Sequence, residues 1–370
     1  MRPSRLARYK DIGTRLVKHR QRPPSQATAV RRPGRGVVLV IGAAALAAWR
    51  VRRVVLPARP AGAGTPRPRQ APDGSPRSSP DGAGVRIVVN PTAGPAWSPT
   101  WTDLLREELP RADIHELEEG EDLVALLSDP AYDAVGVCGG DGTVAAAAGV
   151  ALDRGVPLIV VPGGTLNHLA RDLGIEDASD AVEAVRAGTM ACIDLGVVAE
   201  RPFINTLTFG GYSAVVDTRE RLQPFMGKWP ALVVALIWEL PRMRPLRLTI
   251  DGERVDVWLG WVGNGAYEPP GLAPAWREQL DDGLLDVRLV HGGPRYARTR
   301  FVLAALVGRL GALSVYTERR CASLEVECLD GPQRLGADGE TFDGPAAFTV
   351  EKRRRSLLVA LAPSRSAPDR

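Results

Sequence analysis

Apolar and polar positions along this chain follow two regimes. From Val85 to Val198, short apolar runs alternate with stretches of helical period. Val85 to Asn90, Ala134 to Gly139, Pro157 to Pro162 and Cys192 to Val197 read as buried strands, with Asp113 to Leu117 as another. Between them, Ser98 and Pro99 suit an N-cap and a first helical position. Trp101, Leu104, Leu105 and Leu109 then make one apolar face. Glu121 to Leu127, the alanine-rich Val144 to Leu152 and Ala178 to Ala187 read as further helices. Strand–helix alternation predicts an α/β domain with a parallel sheet and helices on both faces.

After Val198 the pattern changes. Phe203 to Ser213 is strand-like with glycines, and Lys228 to Arg242 is an apolar helix. Leu246 to Asp251 and Val255 to Val262 alternate as a hairpin around Asp251-Gly252. Leu284 to Val290, Cys321 to Leu329, Gln333 to Leu335 and Ala347 to Val350 add strands, and Tyr296 to Leu310 a basic amphipathic helix. Serial strands predict a β-rich sandwich as the second domain. The expected organisation is therefore a tail over 1–84, an α/β domain over 85–198, a β-rich domain over 199–363 and a disordered end over 364–370.

Composition changes this picture mainly at the amino terminus. The chain has 370 residues and a net charge of +4. Met1 to Gly84 alone carries +15, so the remainder carries −11. The tail is rich in Arg, Pro, Gly and Ser, as disordered segments are. Its apolar run at 37–49 is 13 residues long, about 20 Å as a helix against about 30 Å of hydrocarbon. It reads as a weak membrane-contact segment or as an incidental apolar patch. A signal peptide with small residues at Ala61 to Gly64 also fits the pattern. Nothing accompanies the basic tail that would favour nucleic acid. The four cysteines form no CxxC pair and the four histidines no metal-ligand spacing, so reduced thiols in a cytoplasmic body are expected.

Candidate chemistry sits at three predicted strand ends. Asn90 leads into Pro91-Thr92-Ala93-Gly94. Cys138 leads into Gly139-Gly140-Asp141-Gly142-Thr143. Pro162 leads into Gly163-Gly164-Thr165-Leu166-Asn167-His168. In open α/β sheets, ligands bind beyond the carboxyl ends of the strands. Glycines there let a ligand approach the backbone, and the amides opening a helix attract phosphate. Asp141 would repel phosphate unless a divalent cation lies between them. The bland alternative is a glycine turn with a capping aspartate. Asn90 orients a nucleotide or ties loops together, and Thr143 and Thr165 offer hydroxyls.

Those three blocks, with Asp281-Asp282-Gly283-Leu284 and Ala337-Asp338-Gly339-Glu340 later in the chain, resemble the bacterial diacylglycerol kinase and lipid kinase family, relatives of the NAD and sphingosine kinases. The resemblance spans Val85 to about Pro363. It implies a nucleotide domain and a β-rich domain with the active site between them, and a final strand, here Ser356 to Ala362, returning to the first. It implies ATP and Mg²⁺ as cofactors and a hydroxyl of diacylglycerol or a related lipid as acceptor. Glu340 would be the general base, with Asp338 and Asp141 beside it. Asn90, Gly94, Gly139, Gly140, Asp141, Gly142, Thr143, Gly164, Thr165 and Asn167 would bind the nucleotide, with Arg171 either neutralising phosphate or merely solvated. Asp282 would hold Mg²⁺ together with the carbonyls of Gln279 and Leu284. Taken alone, the two acidic blocks are also ordinary turns around Gly283 and Gly339.

Three departures stand out. His168 occupies a position where the family often has Asp, Pro95 and Ala96 follow the first glycine loop in place of a basic residue, and no Thr lies near Glu116. Two other readings stay open: an NAD kinase-like enzyme, which shares the GGDGT block, and a non-catalytic lipid or nucleotide sensor. A membrane surface is the expected partner of the tail, on the cytoplasmic face. A homodimer is left open.

Overall fold

The computed structural model describes residues 79–93, 98–227, 244–270, 276–292 and 315–362, together with 231, 234, 235, 238 and 239. Residues 1–78 with the apolar run, Gly94, most of 228–242, the predicted helix at 296–310 and the last eight residues lie outside the described residues.

The first half alternates as its pattern requires: β1 (Val85–Val89), α1 (Pro99–Glu108), β2 (Asp113–Glu116), α2 (Leu123–Leu127), β3 (Ala134–Gly139), α3 (Asp141–Arg154), β4 (Leu158–Pro162), α4 (His168–Asp172) and α5 (Ala178–Ala187). β1, β3 and β4 are buried almost throughout, the environment of parallel strands covered on both faces. Their order is β2-β1-β3-β4, all parallel. Each helix has a local reason to begin. Pro99 sits in the first turn of α1, and Asp122 accepts from the Val124 and Ala125 amides at α2. Asp177 and Asp180 form a reciprocal cap on α5. In α3, Ala146, Ala147, Ala148 and Ala151 are buried, so small side chains let the helix lie close on the sheet.

The second half contains β5 (Met190–Val198), β6 (Arg201–Phe203), β7 (Thr206–Gly210), α6 (Tyr212–Met226), β8 (Leu246–Ile250), β9 (Glu253–Asn264), β10 (Tyr267–Glu268), β11 (Trp276–Arg277), β12 (Leu285–His291), β13 (Tyr316–Cys321), β14 (Ser323–Cys328), β15 (Gln333–Ala337), β16 (Glu340–Gly344) and β17 (Ala347–Ala360). Its strands pair antiparallel and enclose a second core that includes Phe203, Leu207, Phe209, Val262, Leu285 and Phe348. The β8–β9 hairpin turns at Asp251 and Gly252, both at positive φ, as a tight primed turn needs. The strand-like reading of Phe203 to Ser213 is too simple. The chain pairs as β6 and β7, turns at Gly210 (φ +92), and enters α6 at Tyr212.

One strand belongs to both halves. β17 pairs with β14 through Ala347 to Glu351 and with β5 through Val350 to Arg353 and Leu357 to Ala360, and sets Val359 beside Leu158 of β4 in parallel. A bulge between Arg353 and Leu357 redirects it, with Arg355 at φ 45. The two sheets are thereby hydrogen-bonded into one of 15 strands among the described residues. Leu357 is 1 % exposed and packs in the first core, just past the bulge. Leu357→Ala is expected to cost about 2–5 kcal/mol, measured as the change in unfolding free energy in urea.

Candidate active site

The parallel order β1-β3-β4 brings the three strand-end loops side by side. Their backbones touch so closely that side chains are excluded. A Cβ on Gly163 would lie 2.9 Å from the Gly139 nitrogen, and one on Gly164 would lie 2.5 Å from the Gly140 Cα. The Gly163 amide donates to the Gly139 carbonyl at 2.9 Å.

Side chains then lock the loops together. Asn90 accepts from the Thr92 amide (3.0 Å) and hydroxyl (2.9 Å) and donates through Nδ2 to Thr143 Oγ1 (3.3 Å). Asn90 is therefore the tie between the first two loops. Thr143 is 3 % exposed, so its hydroxyl serves this tie and does not line a phosphate surface. Asn167, at φ 50, grips Gly164 from both sides: Oδ1 accepts the Gly164 amide at 2.8 Å and Nδ2 donates to its carbonyl at 3.0 Å. Asp141 opens α3, and its Oδ1 accepts the His168 amide at 2.9 Å. That bond joins the second loop to the third. Thr165 is exposed at the loop surface, and Arg171 is exposed on α4.

The second half contributes the acidic turn between β15 and β16. Asp338 and Gly339 have φ 49 and 91, and Ala337 pairs with Glu340 across the turn. The block forms the turn expected of it, and that turn sets where its two acids point. Asp338 accepts amides from Ile204 (2.7 Å), Asn205 (2.8 Å) and Thr206 (2.9 Å). Burial pushes its carboxyl up to about 6 against the pull of these three donors, and the charge of Asp141 adds to the rise. Asp338 is thus a bracket for the 204–206 segment, and it senses Asp141 of the other half. Glu340 reaches across: its Oε1 lies 3.9 Å from where a Gly142 side chain would begin. Glu340, Asp338, Asp141 and the glycine loops form one group.

Sequence reasoning missed the groups beneath this site. Arg277 is fully buried. It donates to Asp172 Oδ2 (2.7 Å), the Ile204 carbonyl (2.7 Å), the Asn264 carbonyl (3.0 Å) and Asn205 Oδ1 (3.2 Å). It links α4 to the segment that Asp338 holds. Asp172 lies four residues beyond the third block and Asp194 interrupts an apolar strand, so each left a signal; Arg277 left none.

Asp282, Gln279 and Leu284 form a second group, around Gly265. A Cβ there would lie 3.3 Å from the Gln279 carbonyl and 3.7 Å from Asp282 Oδ2. Each Asp282 oxygen already accepts an amide, Oδ1 from Leu284 and Oδ2 from Ala266, both at 2.9 Å. Lys352 Nζ lies 3.8 Å from Asp282 Oδ1 and 3.8 Å from Asp194 Oδ2. The Arg354 guanidinium packs against Gly283 in the space a side chain there would need. Burial lowers Lys352 to about 8, with Asp282 and Asp194 opposing the fall. Both carboxylates face the one Lys352 ammonium. A resident divalent ion does not fit this charge balance. Cys138 is likewise outside the chemistry: burial pushes its thiol up to about 12.

Comparison with known proteins agrees with this architecture. The diacylglycerol kinase catalytic domain matches residues 84–198. A diacylglycerol kinase of Mycobacterium tuberculosis (strain CDC 1551 / Oshkosh) is 28 % identical over 268 residues, 67 % of this chain and 84 % of that protein. A Pseudomonas aeruginosa (strain UCBPP-PA14) protein named "Probable lipid kinase YegS-like" is 32 % identical over 216 residues, 56 % of this chain and 69 % of that one. In fold, a crystal structure of a diacylglycerol kinase from Bacillus anthracis str. Sterne superposes with TM-score 0.54 at 21 % identity, over 75 % of this chain and 97 % of that one. Fold and relatives together define a kinase. The chain belongs to the bacterial diacylglycerol kinase and lipid kinase family, whose members use ATP.

Gly164→Ala should force the second and third loops apart, lowering ATP affinity at least about tenfold, as titration calorimetry would show. Asp338 supports a pH prediction. Its folded pKa lies above the ordinary carboxylate value, so its contribution to stability is full below about pH 4 and is lost as pH rises through about 6, roughly 3 kcal/mol in all. In urea titrations from pH 4 to 7, stability of the wild type should therefore fall more steeply than that of Asp338→Asn.

Proposed function

We propose that this chain transfers the γ-phosphoryl group of ATP to a hydroxyl of diacylglycerol or a related lipid. The observation that supports this most is Glu340, carried by the β-rich half, with its carboxylate over Gly142 at the mouth of the glycine loops. The loop amides and the start of α3 receive the phosphates. The nucleotide enters as its Mg²⁺ complex, and the second oxygen of Asp141 faces that substrate-borne cation. Glu340 accepts the proton of the lipid hydroxyl as the new O–P bond forms and the bond to ADP breaks. The acceptor reaches the site from the cytoplasmic leaflet. The basic tail favours an anionic surface by about 1 kcal/mol for each Lys or Arg near it. Among the described residues, no helix is long and apolar enough to cross a membrane.

The test is γ-labelled ATP with Mg²⁺ and total lipid extract, comparing wild type with Glu340→Gln. The variant should lose about 10²–10⁴-fold in kcat while binding ATP as before. Label appearing on NAD in a parallel reaction would move the assignment to an NAD kinase. ATP binding with no labelled product in either reaction would indicate a sensor.

A further inference from the structure

The charge balance at Asp282 has a consequence for metal dependence. Lys352 sits on β17 just before the bulge, with its side chain 2 % exposed. Its ammonium donates to Asn264 Oδ1 at 2.5 Å and faces the carboxylates of Asp194 and Asp282. These three oxygens come from the end of β9, from β5 and from the loop before β12. Asn264 cannot turn its amide away, because Nδ2 donates to the Asp194 and Ile204 carbonyls at 2.9 and 2.8 Å. The carboxylates are equally fixed. Asp194 accepts the Gly283 and Arg355 amides, and Asp282 accepts those of Ala266 and Leu284. Two carboxylates and an amide oxygen, held rigid by backbone donors, are a donor set that suits a hard divalent cation. Here a lysine reaches into it from the strand shared by both halves.

We propose that the Lys352 ammonium is the resident cation of this junction, so that the protein holds no divalent ion at Asp282, and that deleting the ammonium creates a divalent-cation site. The lysine does what a structural metal ion does elsewhere, neutralising Asp194 and Asp282 and tying β17 to β5, β9 and the loop before β12. Its tether makes the neutralising charge independent of metal supply. The inference concerns the protein without nucleotide and stands apart from the Mg²⁺ that accompanies ATP.

Nucleotide-free full-length protein tests it by thermal unfolding and by calorimetric titration with MgCl₂, with NaCl matched for ionic strength. The wild type should show the same Tm with EDTA as with millimolar Mg²⁺, and no saturable heat. Lys352→Ala leaves two buried carboxylates unpaired, so its Tm should fall. Mg²⁺ at about ten times its Kd should then return roughly 2–4 °C. Lys352→Arg, which keeps the charge, should not respond to Mg²⁺. A wild-type Tm that drops in EDTA, or saturable Mg²⁺ binding to the wild type, would overturn the proposal. So would a folded Lys352→Ala protein indifferent to Mg²⁺. Should Lys352→Ala not fold, the wild-type titration decides alone.

Discussion

A single buried guanidinium holds the two halves in working register. Arg277 pairs with Asp172 at the end of α4 and fills its other donors with oxygens of Ile204, Asn205 and Asn264. α4 begins at His168, whose amide holds Asp141; Asn205 is one of the residues whose amides hold Asp338. Both acids are thus positioned from one hub through short, rigid links. A charge this deep is tolerated because its planar fork is almost fully satisfied, and removing a partner would leave it uncompensated, at about 3–5 kcal/mol.

The site is assembled by making backbone amides carry negative charge. Asp338 takes three amides and Asp141 takes one, so the direct hydrogen bonds to both acids come from the backbone. That leaves the glycine loops open to an anionic ligand and its cation. The cost is visible in the raised carboxyl of Asp338, which is buried and feels Asp141. A cationic side chain is used one layer away, where Lys352 meets Asp194 and Asp282. The acids beside the glycine loops and the acids at the junction differ in what neutralises them.

β17 makes this division possible. A strand that leaves β14 and ends beside β4 obliges both halves to share one hydrogen-bonded sheet. Its bulge turns the Arg355 amide to Asp194 and sets Lys352 inward on the preceding stretch. Sheet continuity and charge neutralisation therefore come from the same few residues.

Much of this was legible in the order of residues. Apolar runs ending in glycine blocks announce parallel strands with loops at their carboxyl ends, because side-chain period and glycine geometry are local properties. The Asp251-Gly252 hairpin and the Asp338-Gly339 turn are local in the same sense. The blocks around Asn90, Asp141, Asn167 and Glu340 meet at the strand ends, whereas the block at Asp282 belongs to a separate group. Other features depended on partners distant in sequence. Thr143 is turned inward by Asn90, Arg277 finds Asp172 across 105 positions, and Lys352 meets Asp282 from another strand. No window of sequence contains both members of such a pair. The sequence by itself determined the strands, the turns and the residue types at their ends. Only the tertiary structure decided which acids face the glycine loops and which face a lysine, because charge is balanced between side chains that meet only after the two halves have packed.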